Sequence, residues 1–242
     1  MAGSFAWGLL AGSSLLLGGI VALRWRIGPR ALGLVMAFGS GVLISAVAFD
    51  LVQEGFEKSH GSGGIAAGLF AGCGVFFAGD ALIDHFGGGE RKKSGGQAEG
   101  SALAIVLGIV LDGVPESMVI GLTFFEGGAI GAAFLAAVFI SNLPEAIAAT
   151  TGLTAGGWSR AQILGLWAGV VTVSGLASLA GYALFQDTSP RTIAFVLAFA
   201  GGAILTMLAD TMMPEAYEHG GKLAGLFVTL GFAVAFAIHA LD

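Results

Sequence analysis

Charged residues are scarce in this sequence. Only 11% of its 242 residues are Asp, Glu, Lys or Arg, whereas about 25% is usual in soluble domains. The mean hydropathy is +0.89. This composition excludes an ordinary soluble protein, and no basic patch suggests nucleic acid as a partner. It predicts a protein embedded in a lipid bilayer.

Cysteine is rarer still. Cys73 is the single cysteine, so no disulfide can form within the chain. No Cys or His cluster has the spacing of a structural zinc site, and the phosphate-binding loop of ATP-driven proteins is missing. The sequence therefore predicts neither a resident cofactor nor direct use of ATP.

Long apolar runs are abundant. About 20 helical residues cross the roughly 30 Å of hydrocarbon in a bilayer. Eight such runs are predicted as transmembrane helices, at residues 4–23, 31–53, 64–85, 101–125, 129–153, 161–185, 192–216 and 222–241. The expected fold class is all-α, a polytopic membrane protein in which residues 1–242 form a single transmembrane domain.

The basic residues indicate an orientation. Positive charge follows the first apolar run instead of preceding it, so this run is interpreted as a retained helix and not a cleaved signal peptide. With the N-terminus outside, the inner connections hold eight Lys or Arg residues, and the outer ones hold only Lys58 and Arg191. Because positive residues stay cytoplasmic, we expect both termini outside the cytoplasmic membrane and the flexible basic linker Phe86–Gly100 inside.

Two pairs of predicted helices resemble each other. Spans 4 and 5 share a short string, and spans 2 and 7 match at a constant offset along the chain. The matching residues are Phe38, Gly41, Ser45, Ala48, Glu54 and Glu57 in span 2, and Phe199, Gly202, Thr206, Ala209, Glu215 and Glu218 in span 7. Helices 1–3 and 6–8 are therefore predicted to form inverted repeats around a central helix 4/5 pair, as in many secondary transporters.

Spans 4 and 5 each carry a proline directly before a glutamate. The two strings are Asp112-Gly113-Val114-Pro115-Glu116-Ser117 and Ser141-Asn142-Leu143-Pro144-Glu145-Ala146. An ionisable residue at membrane depth costs roughly 3 kcal/mol on insertion scales, so it usually faces a cavity and has a function. A helical proline also frees the carbonyl four residues earlier. Both features point to a polar site in the membrane.

These strings predict a cation site. Asp112 and Glu116 are four residues apart and share a helical face, as do Ser141 and Glu145, with Asn142 beside them. Carboxylates that crowd together in a medium of low dielectric must bind a cation or hold protons. The candidate metal ligands are therefore Asp112, Glu116, Ser141, Asn142 and Glu145.

Polar residues near the span ends are less specific. Asp50 and Glu54 share a face at the outer end of span 2 and form either a cation entrance or a solvated helix end. Glu215 and His219 share a face at the inner end of span 7 and form either an exit relay or a plain helix end. His239 is predicted to be isolated, as a packed or interfacial residue.

The methionines of span 7 are interpreted as filling the core. Met207, Met212 and Met213 lie at mixed spacings, which favours packing by flexible apolar side chains over soft-metal ligation.

With these features the chain resembles the ZIP (Zrt-/Irt-like protein) family of divalent metal transporters. The resemblance covers nearly the whole chain: eight spans, outside termini, a basic loop after span 3 and the Pro-Glu strings. The runs Ala37–Leu43 and Ala198–Ile204 also resemble that family's second and seventh helices. The resemblance implies a homodimer that moves metal inward, with Glu116 and Glu145 as metal ligands.

The central strings depart from the family's pattern. The family usually has His-Asn-x-Pro-Glu-Gly in the fourth helix, whereas here Asp112 and Gly113 replace the first two residues. Ser141 leads the second string, where the family has His or Gln, and Asn142 stands where many members have an Asp or Asn ligand. A sixth-helix glutamate of some members is absent as well, so a single metal site is favoured over the family's two-metal centre.

The sequence alone does not decide which metal is bound. Imidazole suits Zn²⁺, whereas carboxylate oxygens suit Mn²⁺ and other hard cations. Asp112 therefore favours Mn²⁺ or Fe²⁺, while the resemblance favours Zn²⁺, and Cd²⁺ belongs to the same group of transported substrates.

Two other functions compete with metal transport. An intramembrane metal-dependent hydrolase could use paired carboxylates to hold a metal that activates water, but the spans contain no Arg or Lys for a phosphate and no His-Glu-x-x-His motif. A cation-coupled permease for an organic substrate would need a buried cationic residue or an aromatic-lined site, and neither is evident. A divalent metal transporter without enzymatic activity is the preferred interpretation.

Overall fold

The computed structural model describes residues 2–59, 63–85, 102–125, 131–186 and 188–241. All regular elements in these ranges are helices, which confirms the predicted all-α class. The predicted basic linker Phe86–Gly100 and the residues 126–130 between spans 4 and 5 lie outside the described residues.

The described elements follow the eight predicted spans. In chain order they are α1 (Ala2–Arg24), α2 (Pro29–Ala46), a first π-helical segment (Val47–Gln53), α3 (Glu54–Lys58), α4 (Gly64–Ile83), α5 (Ala102–Phe125), α6 (Gly131–Ala155), α7 (Arg160–Phe185), α8 (Pro190–Met207), a second π-helical segment (Leu208–Met212), α9 (Met213–Gly220) and α10 (Leu223–His239). Spans 2 and 7 extend beyond their predicted ends at 53 and 216, to Lys58 and Gly220.

Six helical stretches among the described residues are long and apolar enough to cross a membrane. They are Ala2–Arg24, Pro29–Lys58, Gly64–Ile83, Ala133–Ala155, Arg160–Phe185 and Pro190–Gly220. The other two predicted spans correspond to α5, of 24 residues, and to α10, an apolar helix of 17 residues. Side chains such as Phe70 and Leu226 are 78% and 67% exposed, as expected for helices that face lipid.

The helix starts follow ordinary capping chemistry. Ser159 accepts a hydrogen bond from the Gln162 amide, and the Gln162 side chain accepts one from the Ser159 amide, which forms a capping box. Ser189 accepts from the Thr192 amide ahead of α8. Gly221 has a φ of 60°, a conformation that suits glycine, and this lets α9 turn directly into α10.

The connections define two ends of the bundle. We call one the basic end, because the connections after α1 and α6 and the turn between α9 and α10 carry Arg24, Arg26, Arg160 and Lys222. Gly33, near the start of α2, packs against the last residues of α9 there. We call the opposite end, where α3 and α10 finish and α8 begins, the terminal end.

The predicted relation between spans 2 and 7 is confirmed in the backbone. Helices α2 and α8 begin at Pro29 and Pro190, and the π-helical segments that continue them begin at Val47 and Leu208, with the same offset along the chain. A π-helical turn inserts an extra residue into the helix and often marks a functional site. Both halves of the chain therefore carry the same irregularity at the same position.

The packing repeats in the same way. Helix α4 packs along α8, and α10 packs along α2. A Cβ on Gly72 of α4 would overlap the Phe199 carbonyl, and a Cβ on Gly231 of α10 would overlap the Phe38 carbonyl. Small residues let membrane helices approach this closely, so the two crossings are built from equivalent glycines.

Helices α1, α5, α6 and α7 form the other half of the bundle. Helix α1 packs against α6 and α7, and α5 packs against α7. Ser4 of α1 and Ser178 of α7 each donate a hydrogen bond of 2.8 Å to the other's carbonyl. The proline-containing pair α5 and α6 thereby lies beside α2 and α8, which lead into the π-helical segments.

Candidate metal site

The site is carried by two helices with an internal proline. Pro115 lies inside α5 and Pro144 inside α6, and each helix continues past its proline. Proline cannot donate the backbone hydrogen bond of a regular helix. The polar residues that flank both prolines therefore lie where the helical hydrogen bonding is interrupted.

The predicted ligands are all at least half-buried. Glu116, Ser141 and Asn142 are 2%, 0% and 5% exposed, and Asp112 and Glu145 are intermediate. Burial of this many polar side chains is costly unless each finds a partner. The structure thus places all five predicted ligands within the bundle and away from the lipid-facing surface.

A cavity of about 80 Å³ begins at this level of the bundle. Asp112 of α5 and Glu145 of α6 line it. Its described lining residues are Met36, Gly108, Ile109, Asp112, Glu145, Ala148, Ala149, Met207, Thr211, Met212 and Glu215. Because Gly108, Ala148 and Glu215 lie on the basic-end side of the two carboxylates, the cavity extends from the prolines toward the basic end.

Glu145 lies among several other acidic side chains. Its carboxylate is repelled electrostatically by Glu116, Asp112 and Glu215. Its Oε1 atom is buried and has no hydrogen-bond partner among the described residues. A buried carboxylate oxygen without a partner is energetically unfavourable, and a bound cation or proton would satisfy it.

Three of the predicted ligands, Glu116, Ser141 and Asn142, are not among the described lining residues of the cavity. Ser141 packs against Gly39 of α2, and its hydroxyl donates a hydrogen bond of 3.1 Å to the Val138 carbonyl of its own helix. Asn142 is buried nearby. The structure therefore brings Asp112 and Glu145 together at the cavity, with Glu116 buried behind them.

The carboxylates do not converge on a single point. Among the described residues, no group of three His, Cys, Asp or Glu side chains is close enough to hold a metal ion as it stands. Carboxylates of like charge repel one another strongly in low dielectric. The acidic residues surround the cavity, and a cation that entered would have to draw them together.

Glu215, which the sequence placed either in an exit relay or at a plain helix end, lines this cavity. It lies on the same side of the span as Met207 and Thr211, at intervals of four residues, and all three line the cavity. A spacing of four residues indicates that the three side chains share one face of the helix. The methionines Met207 and Met212 are buried core residues, which agrees with their interpretation as packing side chains. Met213 is exposed, so the prediction that it fills the core is wrong.

One sequence prediction at the terminal end is wrong. His239 is not isolated, because its Nδ1 lies 2.7 Å from Oδ1 of Asp50. Asp50 is only 4% exposed, so it does not form a solvated helix end, whereas Glu54 pairs at 3.0 Å with Lys58. A contact between residues so far apart in the chain cannot be read from local spacing.

Comparison with known proteins agrees with this arrangement. No protein-family profile matches the chain. It is 29% identical over 244 residues to the zinc transporter GufA of Myxococcus xanthus, covering 95% of both chains. It is 27% identical over 247 residues to the zinc transporter ZIPB of Bordetella bronchiseptica, covering 92% of this chain and 74% of that protein.

A third relative is also named as a zinc transporter. The zinc transporter ZupT of Enterobacter sp. (strain 638) is 26% identical over 226 residues, which cover 87% of this chain and 85% of that protein. The similarity in all three cases includes both Pro-Glu helices, since the alignments span most of this chain.

Proposed function

We propose that this chain, which is related over most of its length to zinc transporters of the ZIP family, moves divalent metal cations across a membrane. The observation that carries the proposal is the acidic cavity, in which Glu145 presents a buried oxygen without a partner among the described residues. Ion pathways through membranes are typically marked by such intramembrane carboxylates.

The chemistry of the cavity favours a cation over any other ligand. Glu145 is close enough to Glu116, Asp112 and Glu215 for mutual repulsion. A divalent cation would remove this repulsion, and carboxylate oxygens are suitable ligands for Zn²⁺ as well as for harder metals. In this proposal Glu116 and Glu145 supply the principal ligands, with Asp112, Asn142 and Ser141 adding oxygens.

The repeated halves suggest how the metal moves. In transporters with inverted repeats, one half rocks against the other and exposes a central site to each side in turn. Here the cavity reaches from the Pro-Glu level to Glu215 at the basic end. If basic connections stay in the cytoplasm, this conformation exposes the site to the cytoplasm, and metal would leave inward past Glu215.

Zinc is the first substrate to test, and the harder metals follow. The relatives are named for zinc, whereas Asp112 supplies an oxygen where the family's usual histidine would supply a nitrogen. A carboxylate in this position broadens the site toward Mn²⁺ and Fe²⁺. We therefore propose a transporter of several divalent metals that includes zinc, with no enzymatic activity.

We place the protein in the cytoplasmic membrane as a homodimer with both termini outside. The exposed face of α4, with Phe70, Phe77 and Leu82 more than half exposed, offers an apolar surface for lipid or for a second copy. Cross-linking in native membranes tests the dimer independently of transport.

The test of the function is uptake into proteoliposomes. Wild-type protein should accumulate Zn²⁺ above empty liposomes, and a scan of Mn²⁺, Fe²⁺, Co²⁺ and Cd²⁺ gives the ranking. Glu57→Gln, which changes an exposed carboxylate on α3, is the matched control and should transport normally. If folded wild-type protein moves none of these metals, the proposal is wrong, and a metal-dependent hydrolysis assay becomes the next experiment.

A further inference from the structure

Three methionines line the cavity together with the carboxylates. Met36 lies on α2, Met207 ends α8, and Met212 ends the second π-helical segment. All three side chains are buried. Because Met36 is far along the chain from the other two, no spacing in the sequence shows that they meet. The fold thus brings three of the six methionines of the chain to the wall of one cavity of about 80 Å³.

Met212 lies against the Pro-Glu string of α6. A Cβ on Gly39 of α2 would lie 3.4 Å from Cε of Met212 and 3.6 Å from Cγ of Pro144. The two side chains therefore lie beside the same point on α2, and the thioether of Met212 ends close to the proline that precedes Glu145. Both Met212 and Glu145 line the cavity.

Met207 lies near the other carboxylate of α5 and α6 that lines the cavity. Met207 and Asp112 line the cavity together, and both also line a narrow cleft beside Pro115. Of the described lining residues, only these two are common to the cavity and the cleft. Each of the two carboxylates, Asp112 and Glu145, therefore has a methionine in its neighbourhood.

Sulfur donors would complete a set of ligands that the acidic residues leave incomplete. In the part of the chain that the structure describes, no three His, Cys, Asp or Glu side chains are close enough to hold a metal ion. Methionine has a polarizable thioether and three rotatable bonds, so its sulfur can turn toward an ion without a shift of its helix. Packing and ligation are compatible, because a side chain at a cavity wall packs against its own bundle on one side only.

The donor atoms at the cavity are of two kinds. Carboxylate oxygens suit hard cations such as Mn²⁺, whereas thioether sulfur suits soft metals. A cavity walled by both kinds of donor therefore suits cations of intermediate or soft character, and Cd²⁺ is softer than Zn²⁺. The methionines thus act against the preference for hard metals that Asp112 alone would give.

We propose that Met207 and Met212 are specificity-determining residues, which offer thioether sulfur to a metal ion in the cavity and give it a preference for soft divalent cations such as Cd²⁺. Glu145 and Asp112 supply the negative charge. This inference rests on the proposed function, because it assigns the metal preference of the same cavity.

The first test compares uptake of two metals by variants that keep the volume of the core. Leucine is close to methionine in size and is usually tolerated in its place, but it has no sulfur. In proteoliposomes that carry both Met207→Leu and Met212→Leu, the ratio of Cd²⁺ uptake to Mn²⁺ uptake should fall by about ten-fold. A loss of folded protein would lower the uptake of both metals alike and leave the ratio unchanged.

Met213→Leu is the matched control for this test. Met213 directly follows Met212, but it is exposed and is not among the described lining residues of the cavity. Its substitution should leave the ratio of Cd²⁺ to Mn²⁺ uptake at the wild-type value. An unchanged ratio in the double variant, or an equal fall in Met213→Leu, would overturn the proposal.

The second test needs no transport. X-ray absorption at the cadmium edge detects sulfur atoms bound to Cd²⁺, and in a Cys73→Ser background the methionines are the only source of sulfur. Purified protein loaded with Cd²⁺ should show sulfur neighbours, and these should be lost when Met207→Leu and Met212→Leu are combined but kept in Met213→Leu. Cadmium bound by oxygen alone in the parent protein would contradict the proposal.

The two tests separate this inference from the proposed function. If Cd²⁺ is bound through sulfur while no metal crosses the membrane, the methionine ligands stand and the transport proposal fails. If metals are transported but bound Cd²⁺ has no sulfur neighbour, transport stands and the role of the methionines is wrong.

Discussion

Glu145 is the residue on which the proposed metal site depends most. It directly follows a proline in the middle of a transmembrane helix, it lines the cavity, and one of its oxygens is buried without a described partner. Each of these features is unfavourable in a structural residue, because an unsatisfied buried carboxylate costs stability. Their combination is favourable only when a cation or a proton completes the site.

Asp112 should determine which metal is preferred. It lines the cavity and also a narrow cleft beside Pro115 and Phe76. Asp112→His replaces an oxygen ligand with an imidazole, so the preference for Zn²⁺ over Mn²⁺ should rise by on the order of ten-fold. Competitive uptake of the two metals measures this ratio. An unchanged ratio would show that Asp112 does not contact the transported ion.

The sequence identified the Pro-Glu residues but not the shape of the cavity. Glu116 and Glu145 were singled out because the Pro-Glu string is local and repeated. The spacing of Glu215 from Met207 and Thr211 indicates a shared helical face, but which helices this face meets depends on tertiary packing. The Asp50–His239 contact was missed because its two residues are 189 positions apart in the chain.

At the scale of helices, glycine positions decide how closely the repeated halves pack. Gly72 of α4 lies against the Phe199 carbonyl, whereas Gly74, two residues later on the same helix, has no described atom within 4 Å of the position of a Cβ. The eight-helix fold and the repeat that relates span 2 to span 7 were predictable from the sequence pattern. Which glycines form the crossings was not, because each helix is rich in glycine on several faces.

These two glycines provide a matched pair of variants. Gly72→Ala should force α4 away from α8 and destabilise the protein by about 1–3 kcal/mol, since backbone atoms cannot yield to a new methyl group. Gly74→Ala should be neutral or stabilise by up to about 1 kcal/mol, because alanine favours a helix. Thermal unfolding in detergent compares them. Equal melting temperatures of the two variants would contradict the close crossing of α4 and α8 at Gly72.

For the whole molecule, the repeat produces two ends that are alike in backbone and unlike in side chains. The basic end has the cavity, and the terminal end has the contact between Asp50 and His239, whose ring stacks on Phe49. If both ends carried the same side chains, the conformation open at the basic end would not be favoured over the conformation open at the terminal end. The difference in side chains therefore gives the proposed transport cycle a resting state that is open on one side.

Access to the cavity should be confined to the basic end in this state. In a Cys73→Ser background, Thr211→Cys should react with a membrane-impermeant thiol reagent supplied from the basic side, and Zn²⁺ should slow the reaction by occupying the cavity. Thr192→Cys, at the exposed start of α8, is the control and should react from the terminal side. Labelling of Thr211→Cys mainly from the terminal side would reverse the assignment of the open end.

The most direct measurement is the initial rate of Zn²⁺ uptake by Glu145→Gln in proteoliposomes that contain as much folded protein as the wild-type sample. Glutamine keeps the size of the side chain and removes the negative charge. We expect a fall of at least about 100-fold, since loss of even an outer partner of a metal ligand typically costs 10–100-fold. Uptake at the wild-type rate would show that metal does not pass Glu145.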